Sequence, residues 1–168
     1  LTVYRGMVGS TNWVVRTCRP DLSYDMIHLS TKFKGAKIEN LKEARKVLTN
    51  IVQNKAKITL SSVGKLSNAE LWLYTDASFG NLNDGVDSTG SYVLLLVNPT
   101  NGKCAPLDWK SNKVKRVVTS TLAAETLSLT CGLDAAVAMR EQLQDMLGND
   151  HSFTIRAMVD NKSCVDAV

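Results

Sequence analysis

Apolar positions recur with a helical period through roughly the first seventy residues and with a strand-like period after them. In RPDLSYDMIHLSTKF, Leu22, Met26, Leu29 and Phe33 fall on one helical stripe, and Pro20 suits the first turn of that helix. In NLKEARKVLTNIVQN, Leu41, Ala44, Val47, Leu48 and Ile51 make a second stripe. Lys42, Arg45, Lys46 and Lys55 are then left on the outer surface. Asn40, with Glu43 three residues on, has the form of a capping box. An earlier helix over residues 4–15 is expected, weakened by Gly6 and Gly9. SSVGKLSN has the small and polar composition of a linker.

Beyond it, ELWLYTD predicts a strand that ends at Asp76, and NLNDGVDSTGS a turn-rich loop with Asp84 and Asp87 as turn formers. YVLLLV predicts a buried strand, NPTNG a hairpin turn and KCAPLDWK a third strand, which Pro106 confines to an edge or a bulge. A long helix is predicted from about residue 120 to 147. Leu122, Leu129, Leu133, Ala136, Met139, Leu143 and Met146 lie near one face of it, and Gly148 ends it. FTIRAMVD predicts a fourth strand, and NKSCVDAV opens another helix. Three strands, helix, strand, helix is the order of an α/β mixed sheet with helical cover. A small all-α segment, residues 1–68, precedes this sheet domain, residues 69–168.

Composition narrows the class. A chain of 168 residues with 44% apolar content can build a core. The longest aliphatic run, residues 93–97, is far short of the ~20 residues that cross a bilayer. No basic-then-apolar leader opens the chain, so secretion is not expected. Four scattered cysteines without a CxxC pair, and only two histidines, argue against zinc and for reduced thiols inside a cell. Leu1 at the start and a helix barely begun at NKSCVDAV lead us to expect a segment of a longer polypeptide. Charge is uneven: residues 1–69 carry a net +8 and residues 70–168 a net −4. A basic first part suits a polyanion, while the acids of the second invite another explanation.

Three of those acids share a setting. Asp76 ends the first strand, Asp160 the fourth, and Glu125 lies early in the long helix, with Leu122 and Leu129 on its face. Acids are rarely placed on a core face without a partner. If the first and fourth strands are neighbours, the three converge. Two carboxylates about 4 Å apart repel by roughly 4 kcal/mol at an effective dielectric of 20. A divalent cation offsets that repulsion, and oxygen-only ligands favour Mg²⁺ or Mn²⁺. Two such ions would clamp the oxygens of a phosphodiester displacement. Taken singly, Asp76 could open a turn, Asp160 could cap the helix at DNKS, and Glu125 could favour a helix N-terminus.

The ordered set YTDASFG, STGSYVLLL, LDWKSNKVKRVVTSTLAAETLSL and MVDNKS resembles the ribonuclease H domain of reverse transcriptases from Ty1/copia-type retrotransposons. The upstream YRGMVGSTNWVVRTCRPDLSYDMIHLSTKF is similar to the thumb or connection segment that links polymerase to ribonuclease H in those polyproteins. The resemblance implies a ribonuclease H-like fold, incomplete at its C-terminus. It also implies that Asp76, Glu125 and Asp160 are the catalytic metal ligands for two Mg²⁺ (or Mn²⁺) ions, and that water hydrolyses the RNA strand of an RNA–DNA hybrid. A polymerase domain in the same polyprotein is the implied partner. The family's fourth acidic ligand lies after a fifth strand, beyond Val168, and Ala123 stands where members often carry a further acid.

WKSNKVKR places Lys110, Lys113, Lys115 and Arg116 ahead of the helix that bears Glu125, where phosphates are the expected partners. Ser111, Asn112 and Ser120 could hydrogen-bond to backbone or 2′-hydroxyl groups, and Trp109 is expected in the core. The bland alternative is a solvated loop. Two other accounts of the chain remain: an inactive or host-adopted remnant that binds nucleic acid, and a DDE-type integrase. The integrase is disfavoured because its helix glutamate comes last in the chain, whereas Glu125 precedes Asp160.

Overall fold

A computed structural model describes residues 1–82, 85–148 and 151–166. It divides into two compact units, residues 1–58 and 59–168. The first holds α1 (Thr2–Cys18), a 3₁₀ turn (Pro20–Leu22), α2 (Ser23–Thr31) and α3 (Ile38–Gln53). Tyr4, Val8, Val15, Leu22, Met26, Leu29 and Ala44 form its core. The Tyr4 hydroxyl donates to the Leu29 carbonyl at 2.6 Å. Arg19 is buried at 4% exposure, a position a cation tolerates only with full pairing. It donates twice to Asp21, at 2.9 and 2.8 Å, and once to the Asn54 carbonyl at 2.9 Å. Leu22, Met26 and Leu29 share this core as the spacing predicts, but Leu22 lies in the 3₁₀ turn that holds Pro20, and Phe33, beyond the end of α2, is only partly buried.

Two details of α3 differ from expectation. The helix begins two residues ahead of Asn40, which therefore sits in the first turn and accepts from the Lys37 N–H at 2.9 Å. Leu48 is 40% exposed rather than buried, because the contact stripe narrows to Leu41, Ala44, Val47 and Ile51.

The second unit contains β1 (Glu70–Leu82), β2 (Asp87–Asn98), β3 (Lys103–Lys113), α4 (Thr121–Leu147), β4 (Ile155–Val159) and the single-turn α5 (Lys162–Val165). The strands order β3-β2-β1-β4, antiparallel except for the parallel β1–β4 pair, which makes the mixed sheet expected. β3 is an edge strand, and its register shifts opposite Leu94 and Leu95, beside Pro106, whose missing N–H suits such a break. SSVGKLSN is no loose linker. Val63 is 4% exposed within the sheet's core, and its carbonyl accepts from Asn98 and Asn101 side chains at 2.9 and 3.2 Å.

β1 also runs six residues past Asp76, pairing with β2 through Ser78 opposite Thr89 and resuming at Leu82 opposite Asp87. Most of the expected loop is therefore hairpin. Asp87 opens β2 and forms an ion pair with Lys113, while Asp84 lies outside the described residues.

One sheet face, with Leu71, Leu73 and Thr75 of β1 and Tyr92, Leu94 and Leu96 of β2, is buried. α4 packs along it through Ala124, Ser128, Gly132 and Ala136, small residues one turn apart. Leu129 is buried beside them, but Leu122 and Met146 are 38% and 80% exposed, against expectation. The contact stripe lies on the small residues, and it does not extend to either helix end. By length and composition α4 could cross a bilayer; here the sheet occupies its buried side. Gly132 sets the separation. A Cβ there would stand 2.8 Å from Thr75 Cγ2 and 3.0 Å from Leu73 Cδ1.

Gly132→Ala is therefore expected to destabilise the second unit by ~1–3 kcal/mol in urea unfolding through overpacking. A gain in stability, as alanine gives at an open helix position, would contradict this close approach.

Candidate metal centre and basic groove

Each acid of the triad is delivered by a different element. Asp76 is exposed in the middle of β1, opposite Ser91 of β2. Asp160 is exposed directly after β4, which lies parallel to β1. Glu125 is the fifth residue of α4 and is 3% exposed. Carboxylate oxygens of the three lie within 4.8 Å of one another, and among the described residues they are the one acidic, His or Cys group so arranged.

The simpler roles fall to other residues. Asn161 caps α5, accepting from the Cys164 N–H at 3.3 Å. Ser120 caps α4, accepting from the Ala123 N–H at 3.1 Å. Asp76 opens no turn, since its strand continues.

Burial pushes the Glu125 carboxyl above its ordinary range; a hydrogen bond from the Ala77 backbone opposes this, and the charges of Asp76 and Asp160 add to it. Its Oε2 is buried without a hydrogen-bond partner. A bare carboxylate oxygen facing two further carboxylates is the arrangement a divalent cation satisfies, and an all-oxygen donor set suits a hard ion. The triad can thus hold a metal. Asp76 and Asp160 also line a shallow cleft with Tyr74, Val93 and Met158, which leaves the cluster open to a ligand.

The helix is tied to the sheet beside the acids. The Ser128 hydroxyl, one turn after Glu125, lies 2.9 Å from the Asp76 carbonyl and 3.0 Å from that of Ser91. Gly90 leaves room for it, since a Cβ there would be 3.1 Å from Ser128 Cβ and Oγ. The apolar periodicity of α4 does not reveal these residues. The available signal is the small-residue spacing from Ala124 through Ser128 and Gly132 to Ala136.

The expected phosphate contacts divide. Lys110, Asn112, Lys113, Lys115 and Arg116 line one groove with Leu127, Ser128 and Cys131 of α4. Lys110–Lys113 are part of β3, whereas Lys115 and Arg116 are exposed in the segment leading to α4. Ser111 pairs with Ser91 in the ladder, and its side chain alternates to the other strand face. Ser120 serves the helix cap. Trp109 is buried at 8% exposure, as expected.

A group whose pKa is raised on folding binds its proton more tightly in the folded state, so its protonated form adds stability. In chelator, wild-type stability is expected to fall as pH rises from about 4.5 through the raised value of Glu125, relative to Glu125→Gln. Divalent cation should remove the difference in slope. Parallel pH profiles of the two proteins in chelator would contradict the burial of this carboxyl.

No known protein-family profile matches the chain. It is 34% identical over 118 residues, 70% of its length, to a transposon Ty5-1 protein of Saccharomyces cerevisiae, of which it spans 36%. Over 129 residues, 76% of its length, it is 33% identical to the retrovirus-related Pol polyproteins from transposons RE1 and RE2 of Arabidopsis thaliana, spanning 8% of each. The curated relatives are thus transposon proteins, Pol polyproteins among them, and the chain corresponds to a fraction of their length.

Proposed function

We propose that residues 59–168 form the ribonuclease H part of a retrotransposon Pol polyprotein, hydrolysing the RNA strand of an RNA–DNA hybrid, with a reverse transcriptase polymerase as partner in the same polypeptide. The observation that carries this reading is the bare, buried Oε2 of Glu125 within a three-carboxylate cluster. Asp76, Glu125 and Asp160 would hold Mg²⁺ or Mn²⁺. When bound, such ions supply charge neutralisation, an activated water and stabilisation of the attacking and leaving oxygens.

The protein's own part is positioning. Glu125 is fixed by burial and by the helix–sheet contact, whereas exposed Asp76 and Asp160 present their oxygens to the cleft. Lys110, Lys115 and Arg116 would bind backbone phosphates and hold the scissile strand over the acids. Lys113 is engaged with Asp87, so its share in that grip is smaller.

Asp76→Asn is expected to abolish Mg²⁺-stimulated cleavage of a labelled hybrid without lowering the urea midpoint, since it relieves repulsion on Glu125. A mutant that cleaves at the wild-type rate would remove Asp76 from catalysis. If the unmutated protein binds hybrid yet shows no Mg²⁺-dependent cleavage, the reading as an inactive nucleic-acid-binding remnant replaces this one. Replacing both Lys115 and Arg116 with alanine should weaken hybrid binding and reduce the slope of log K against log[salt] by about 2. An unchanged slope would place the hybrid elsewhere.

A further inference from the structure

We propose that Ser128 is a positioning residue that sets the place of Glu125 relative to Asp76 and joins the acid cluster to the basic groove. This rests on the metal-binding reading of the three acids. Ser128 is 4% exposed. Its hydroxyl proton is shared between the carbonyls of Asp76, at 2.9 Å, and Ser91, at 3.0 Å. Those residues face each other across the β1–β2 ladder, and the Ser91 hydroxyl also lies 3.3 Å from the Asp76 carbonyl. One side chain of α4 thus grips two strands at the level of the first acid. Glu125 is three residues away, adjacent on the helix surface.

Packing alone does not call for a serine here. Alanine has the higher helix propensity and would fill the space above Gly90 with less crowding. Farther along α4, apolar and small residues suffice. Such contacts are non-directional and leave a helix able to shift by fractions of an ångström. A hydroxyl aimed at two fixed carbonyls removes that freedom at the turn where it matters, since Mg²⁺ requires near-octahedral oxygen geometry at about 2.0–2.1 Å. Ser91 and Ser128 also line the basic groove with Lys110 and Arg116. The same tether therefore fixes the distance between the phosphate-binding side chains and the acids.

The test uses the whole 168-residue chain and Mn²⁺ alone as probe, with affinity read from water-proton relaxation and folding from urea denaturation. Ser128→Ala and the somewhat larger Ser128→Cys are each expected to weaken Mn²⁺ binding by about tenfold or more, the scale found for groups that orient metal ligands, with the protein still fully folded under assay conditions. Asp76→Asn should lose the site. The proposal is overturned if both Ser128 variants bind Mn²⁺ as wild type does while Asp76→Asn has lost it, or if affinity falls only in proportion to the folded fraction. If Asp76→Asn keeps wild-type affinity, the metal reading of the acids fails instead, and the role of Ser128 with it.

Discussion

A carboxylate enclosed by protein needs either a proton or a cation, and Glu125 has neither a hydrogen-bond partner for Oε2 nor more than 3% of its surface in water. The fold then brings Asp76 and Asp160 to within 4.8 Å, which makes the enclosed charge costlier still. An arrangement that is unfavourable by itself becomes favourable once a divalent ion joins it. The sheet topology supplies the convergence. Parallel pairing of β4 with β1 puts Asp160 beside Asp76, and α4 crosses the same strands with Glu125 in its second turn. Without the parallel pair Asp160 would not stand beside Asp76 and the buried Glu125.

Close approach of α4 to the sheet is the second requirement, and small residues provide it. Gly132 leaves no room for a side chain over Thr75 and Leu73, and Gly90 leaves none over Ser128. A larger residue at either place would lift the helix and carry Glu125 with it. The α4 side of the site is thus built from the absence of bulk, and the polar contact of Ser128 gives that bare surface a direction.

This explains which parts were legible in the sequence. Asp76, Asp160 and Glu125 stand out in the sequence because acids that close an apolar strand pattern or lie on a core face are conspicuous. The succession of strands and helices follows from alternation, helical period and turn residues; the pairing of β1 with β4 does not. Nor does the extent of β1, because ASFGNL carries an exposed serine and phenylalanine, a glycine and an asparagine, and its pairing with β2 is a tertiary fact. Leu122 and Met146 fit the apolar stripe of α4 and are nevertheless exposed, because a count of large apolar residues finds a stripe even where the sheet has ended. Ser128 and Gly132 are inconspicuous for the converse reason, since small residues add little to an apolar period yet decide how near two elements can come. The basic residues were legible as a group, but their division between strand, groove and helix cap depended on where β3 stops.

The most direct test of this account is diffraction from crystals of the protein grown with Mn²⁺, using the metal's anomalous signal. The account predicts a peak bounded by oxygens of Asp76, Glu125 and Asp160, with Glu125 Oε2 among its ligands. Crystals in which the three acids remain together under saturating Mn²⁺ with no peak between them, or in which they point into separate surroundings, would contradict it.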